Sequence, residues 1–284
     1  MVNQRNVVDM DLAKIFRSMG MQIRPESFSP KFARIIVSRN CALRCQMCTF
    51  WRKWKADPTF EEIKHWIDEL AKFGVEEISI GGGEPFLRKD LPQIVERIKS
   101  HGIRCGMTTS GWFVNSVPLL PADHYEISID GVKPETHDKI RGRKGSWERA
   151  VKTVKLAKKK YSVSQINFVL QADNYKELVD YCKFAKSLGV KVSIIPISPK
   201  LAAQPAISKK MASVDPKVLR SLIYEAMKIG VITNTPEFFE IYLSKFKRDV
   251  TPQSCLAPND CILIFANSDV YVCGNFDRPV GKLT

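Results

Sequence analysis

No apolar run among the 284 residues reaches the roughly 18 needed to cross a bilayer. The opening residues MVNQRNVVDMDLAKIF lack the basic, apolar and small-residue order of a secretory signal. A spanning or exported protein is therefore not expected, and a cytoplasmic location is. Histidine is scarce: four residues, at 65, 101, 124 and 137, stand at no ligand spacing from a cysteine. Acidic residues are in deficit, with 30 Asp and Glu against 44 Lys and Arg, a formal net charge of +14. Disorder as the main state is excluded by a 44% hydrophobic content, and the length is ample for a buried core. Eight cysteines are too few for a disulfide scaffold in a chain this long, so any cluster among them reads as metal ligands or redox groups.

Clustered Lys and Arg bind phosphate by releasing counterions, so the charge raises a nucleic-acid-binding or RNA-modifying alternative. The lysines are dispersed instead. Lys152, Lys155 and Lys159 fall at helical spacing opposite Val151 and Val154, the pattern of a solvated helix face. The charge suits an acidic substrate or partner without naming a function.

Short β-branched runs at 34–38, 75–80, 103–109, 125–130, 165–171 and 190–195 alternate with segments of helical period. Phe60, Ile63, Trp66, Ile67, Leu70 and Phe73 form one such apolar stripe, and Leu178, Cys182, Ala185 and Leu188 another. Six β-α units predict an α/β fold, a partial (β/α)6 TIM-like barrel with ligands beyond the carboxyl ends of its strands. The expected organisation is an N-terminal extension over 1–33, a barrel core over 34–215, a helical connector over 216–250 and a small cysteine-containing region over 251–284. Residues 9–20 read as an amphipathic helix. The proline-rich stretch 196–216 reads as a long loop over the site, and helices are expected at 216–229 and 236–247. Asn267, Ser268 and Asp269 supply turn chemistry for a hairpin in CILIFANSDVYVC.

The first strand runs into Cys41-Ala-Leu-Arg-Cys45-Gln-Met-Cys48, a C-x3-C-x2-C triplet. Three thiolates fall one short of a closed zinc site, whereas an iron–sulfur cube held by three cysteines keeps one iron open. Zinc and unrelated buried cysteines are the competing readings. After the second strand comes Gly81-Gly82-Gly83-Glu84-Pro85, where glycine permits close backbone approach. Period-2 alternation puts Ser128 and Asp130 on one face of the fourth strand, where buried polar groups need partners. Cys255, Cys261 and Cys273 form a second set near the end. Cys105, inside a strand, and Cys182, on an apolar helix stripe, read as inert core residues.

The triplet and the glycine run, about thirty-five residues apart, together resemble the radical S-adenosylmethionine (SAM) superfamily. The resemblance implies that Cys41, Cys45 and Cys48 hold a 4Fe–4S cluster whose open iron is chelated by SAM. Electron transfer then cleaves SAM to a 5′-deoxyadenosyl radical, which abstracts hydrogen from a substrate above the barrel. It also implies that Gly82, Gly83 and Glu84 accept hydrogen bonds from the SAM ammonium, and that Ser128 and Asp130 contact its ribose or carboxylate. Arg141 would pair with that carboxylate, with a surface arginine as the alternative. Val169 and Ile195 would touch adenine, for which core packing is an equal explanation. Met47 stands where the family commonly has an aromatic near the adenine. Thr109 and Ser110 face SAM or substrate.

The tail resembles the opening of SPASM or shorter twitch domains, which implies an auxiliary 4Fe–4S cluster on Cys255, Cys261 and Cys273. Ser268 replaces the motif glycine, and the later cysteines of a full SPASM domain are absent. A twitch-type protein or a truncated sequence both fit. The function so implied is oxidation or C–H functionalisation of a peptide or protein, with a small metabolite such as an amino sugar or nucleotide as the alternative substrate. An electron donor such as flavodoxin or ferredoxin is expected.

Overall fold

The computed structural model describes residues 30–52, 56–197, 205–244, 246, 261–271 and 279–283. Six strands form in chain order: β1 (Phe32–Ser38), β2 (Glu77–Gly82), β3 (Arg104–Thr109), β4 (His124–Ser128), β5 (Ser162–Leu170) and β6 (Val192–Pro196). Each pairs in parallel with the next. The crossovers are α1 (Phe60–Lys72), α2 (Leu91–Ser100), the pair α3 (Pro134–Arg141) and α4 (Ser146–Lys160), and α5 (Leu178–Leu188). This is the partial barrel the alternation predicts, except that the β3–β4 connection over 110–123 carries turns in place of a crossover helix.

The two sequence periods explain the layering. α1 starts at a capping box, with Thr59 Oγ1 accepting from the Glu62 N–H and Glu62 accepting from the Thr59 N–H. It buries Ile63, Trp66, Ile67 and Leu70. Beneath the helices, alternate strand residues such as Ile35, Ile80, Met107, Ile127 and Phe168 are fully buried, each such side chain contributing about 1.5–3 kcal/mol. Cys105 and Cys182 lie in this core. Lys152, Lys155 and Lys159 face solvent on α4 as expected.

The expected hairpin is present, but as a continuation of the barrel sheet. β7 (Cys261–Ile264) pairs in parallel with β1 from Phe32↔Cys261 to Ile35↔Ile264. β8 (Asp269–Tyr271) and β9 (Gly281–Lys282) follow antiparallel. Among the described residues the strand order is β6-β5-β4-β3-β2-β1-β7-β8-β9. Ile262 and Ile264 bury against the common core, and Ser268 turns the hairpin at φ 64.

One expectation is corrected. The stretch 196–216 is not all loop, because α6 (Pro205–Ala212) occupies part of it. Proline at a first helical position costs no hydrogen bond, and Met211 anchors the helix in the core. α7 (Pro216–Met227) and α8 (Pro236–Ser244) match the two helices expected beyond it. The helix expected at 9–20, residues 198–204, Cys255 and Cys273 lie outside the described residues. No described helix is long and apolar enough to cross a membrane.

Candidate functional site

The cysteine loop leaves the carboxyl end of β1 and docks on the end of α3. The Arg44 N–H donates to Arg141 O at 3.1 Å and the Gln46 N–H to Ile140 O at 2.9 Å. Arg143 Nη1 reaches Ala42 O at 2.8 Å, and Trp51 Nε1 reaches Cys45 O at 3.2 Å. This docking requires Gly142: its φ is 68°, and a Cβ there would stand 2.5 Å from Arg44 O. Phe50, just past the loop, meets Phe265 at 6.0 Å between ring centroids, linking the loop to the turn after β7.

Cys45 is buried, and Cys41 and Cys48 are half-buried. Burial pushes the Cys41 thiol up to about 12, and Glu84, Cys45 and Cys48 nearby push the same way. Burial likewise raises Cys45, against the pull of Arg141. Cys41 thus feels both other thiols of the loop, and Cys45 feels Cys48. Without a metal Cys41 and Cys45 are therefore neutral thiols, and metal binding would release their protons.

A buried ion pair lies behind the loop. Asp130, with no exposed surface, has Oδ2 at 2.6 Å from Arg141 Nε. Its Oδ1 accepts from the Val169 N–H at 2.7 Å, and its carbonyl accepts from Asn174 Nδ2 at 2.9 Å. Arg141 Nη1 donates to Cys45 Sγ at 3.8 Å. Carboxylate, guanidinium and thiol thus run in line, which excludes the surface-arginine alternative for Arg141.

The glycine run lies against the end of β1 and the start of the loop. The Gly83 N–H donates to Ser38 O at 2.7 Å and the Glu84 N–H to Asn40 O at 2.8 Å. A Cβ on Gly82, whose φ is 131°, would meet Ser38 O at 2.4 Å, and one on Gly83 would meet Asn40 O at 2.1 Å. Glu84 is wholly buried. Its Oε1 accepts from Thr109 Oγ1 at 2.7 Å, and its Oε2 from the Ser110 N–H at 3.0 Å and from Ser110 Oγ. Burial raises its pKa while these donors oppose the rise. Thr109 and Ser110 are thus turned toward Glu84.

Ser128, Val169 and Ile195 share the concave face, with Ser128 beside Asn167 and Val169 beside Ile195. Ile195 is 46% exposed and Val169 half-buried, so Ile195 is not a core residue. Met47 is partly buried against the core. Two supports of the loop carried no sequence signal. Asp57 accepts from Ser38 Oγ at 2.7 Å and from the Arg39 N–H at 2.9 Å, and Arg88 Nη1 donates to Val37 O and Pro58 O, each at 2.8 Å.

The family model for the radical SAM superfamily matches residues 35–185, more than half of the chain. This chain belongs to the radical SAM superfamily. Membership brings a 4Fe–4S cluster and SAM as cofactors. An AdoMet-dependent heme synthase from Methanosarcina barkeri is 25% identical over 280 residues, covering 90% of this chain and 80% of the relative. A probable GTP 3′,8-cyclase from Thermococcus kodakarensis is 30% identical over 188 residues, 62% of this chain and 60% of that protein. Among solved structures, Streptococcus suis SuiB bound to the precursor peptide SuiA superposes with a TM-score of 0.66 at 20% identity, covering 88% of this chain and 60% of SuiB.

The residues of this radical SAM protein fit the cluster. The donor set offered is three thiols on one loop, one for each of three irons of a cube. Cys261 is half-buried at the amino end of β7, beside Phe32. β1 then separates it from the triplet by about 20 Å of strand rise.

Proposed function

We propose that this chain reductively cleaves SAM and uses the resulting reactivity to abstract hydrogen from a substrate, which is oxidised or functionalised at a C–H bond. The observation that carries the reading is three thiols on one loop, held between the glycine turn and the buried Arg141. When bound, the cluster and SAM supply one-electron reductive cleavage and hydrogen abstraction.

The chain's own residues have distinct tasks. Cys41, Cys45 and Cys48 ligate iron. Gly82 and Gly83 bring strand-end carbonyls to the SAM ammonium, and Glu84 braces that turn against Thr109 and Ser110. Arg141, aligned by Asp130, offers its remaining donors to the SAM carboxylate, beside Ser128. Met47, Val169 and Ile195 supply apolar contact for the adenine. Cys255, Cys261 and Cys273 hold an auxiliary 4Fe–4S cluster, and a flavodoxin or ferredoxin in the cytoplasm delivers the electrons.

For the substrate, the likeness to SuiB, solved with a precursor peptide, supports a peptide or protein. The match to a heme synthase over 90% of this chain supports a small metabolite as the second reading. The test is anaerobic reconstitution, addition of SAM and reductant, and detection of 5′-deoxyadenosine, followed by deuterium transfer from labelled peptides and labelled small molecules. Peptide-derived deuterium in 5′-deoxyadenosine is the expected result. A fully iron-loaded protein that releases no 5′-deoxyadenosine overturns the reading.

A further inference from the structure

The concave face of the sheet is polar where closed barrels are filled by bulky branched side chains. Strand register sets Arg34 beside Ser79, Thr108 beside Glu126, and Ser128 beside Asn167. Arg34 Nη2 lies 3.0 Å from Glu126 Oε2, 3.3 Å from Thr108 Oγ1 and 3.4 Å from Ser79 Oγ. Asn167 Nδ2 donates to the same Glu126 oxygen at 3.1 Å. Glu126 precedes Ser128 by two residues, so this layer lies roughly 7 Å below the strand ends. Above it, Ile195 is 46% exposed, which leaves this face open.

Two polar atoms of the layer are buried without a partner: Arg34 Nε, a donor, and Asn167 Oδ1, an acceptor on a residue only 5% exposed. All three hydrogen bonds of Arg34 run through Nη2, which shares the side-on edge of the guanidinium with Nε, so Nε remains as one unspent donor for one oxygen of an acceptor. The floor as it stands lacks one acceptor and one donor.

We infer that this layer is the substrate-gripping floor of the barrel, where Arg34 takes a carboxylate and Asn167 accepts an adjoining N–H, as an N-acyl amino acid or peptide unit presents them. Glu126 argues against phosphate. Burial alone would raise its pKa, but Arg34, Asn167 and Thr108 outweigh burial and hold it below the ordinary carboxylate range. An ionised carboxylate beside the guanidinium leaves the floor near neutrality, suited to a monoanion and repulsive to a dianion. The inference rests on the radical SAM reading, which puts the substrate beneath the cluster at the strand ends.

The test uses anaerobically reconstituted enzyme with SAM, labelled with 15N-arginine, in which the Arg34 Nε–H resonance is assigned by its loss in Arg34→Lys. N-acetylglycine, propionate and inorganic phosphate are the probes. N-acetylglycine is expected to shift the resonance saturably and to bind about tenfold more tightly than propionate or phosphate. The double variant Arg34→Gln/Glu126→Gln, which removes both charges together, is expected to weaken N-acetylglycine binding about tenfold or more, read by thermal shift. Equal affinity for propionate or phosphate, no saturable shift with any probe, or unweakened binding in the double variant overturns the inference. Release of 5′-deoxyadenosine by the wild type is measured on the same samples. Failed titration with cleavage intact removes the floor alone, and absent cleavage with a saturable titration removes the radical reading alone.

Discussion

Asp130 Oδ2 and Arg141 Nε lie 2.6 Å apart, and the same guanidinium reaches Cys45 Sγ at 3.8 Å. A buried pair of this kind gives modest net stability, yet removing one partner strands the other charge away from water. Asp130→Ala is therefore expected to cost about 3–5 kcal/mol in denaturant unfolding and to lower iron uptake, since Arg141 backs the cysteine loop. Asp130→Asn, which can still accept from the Val169 N–H, should fall between the two. An Asp130→Ala protein as stable as the wild type would contradict the pairing.

Glu84 gives a second test. Truncation to Ala deprives Thr109 Oγ1 and both Ser110 donors of their acceptor, at about 1–3 kcal/mol for each donor left buried. The turn it braces also loosens, so SAM affinity measured by equilibrium dialysis on iron-loaded protein should fall. Glu84→Gln should lose less of both.

Gly142 and Gly145 make a matched pair, both with positive φ, 68° and 81°. A Cβ at Gly145 meets nothing within 4 Å, whereas one at Gly142 lands 2.5 Å from Arg44 O. Gly145→Ala should cost only the left-handed strain, about 1–2 kcal/mol. Gly142→Ala should cost more and also displace the cysteine loop, visible as a lower iron count after reconstitution.

Acid stability has an identifiable contributor. Asp68 sits 2.6 Å from Arg97 Nη2 and 2.9 Å from His101 Nε2. Burial would raise its pKa, but His101, Arg97 and Lys64 hold it below the ordinary value. Because the folded value lies below the unfolded one, the stabilisation is complete above about pH 4 and is lost as pH falls through the lowered folded value. Asp68→Asn should lower Tm at neutral pH and flatten its fall below about pH 4. A variant whose Tm falls with acid as steeply as the wild type's would assign acid sensitivity elsewhere.

The two cysteine sets are separable by metal analysis. Wild type should carry roughly eight irons per chain, and Cys261→Ala roughly half that. Cys45→Ala should lose the SAM-dependent change in the cluster's electron paramagnetic resonance signal, together with 5′-deoxyadenosine formation. Zinc in place of iron in anaerobic wild-type protein would refute both cluster assignments.

The strands were legible because alternation is local: Ile35, Ile80 and Ile127 announce a buried face without knowledge of what packs on it. The thiol triplet was legible because its three cysteines sit within eight residues of chain. Asp57 and Arg88 gave no such signal, since a polar residue between elements looks alike whether it braces a loop or meets water. The stretch 196–216 misled for the converse reason: its prolines mark helix starts at Pro205 and Pro216 as well as breaks.

The sequence alone thus determined the β-α order, the buried faces and the iron-binding chemistry, all written in short-range periods and spacings. Tertiary structure decided the rest. Arg34 met Glu126 across 92 residues and Arg141 met Cys45 across 96, while Glu84 turned inward to β3 and the tail strand joined β1. Such pairings depend on which strands become neighbours and on how much water the packing removes. Neither quantity exists until the chain has closed.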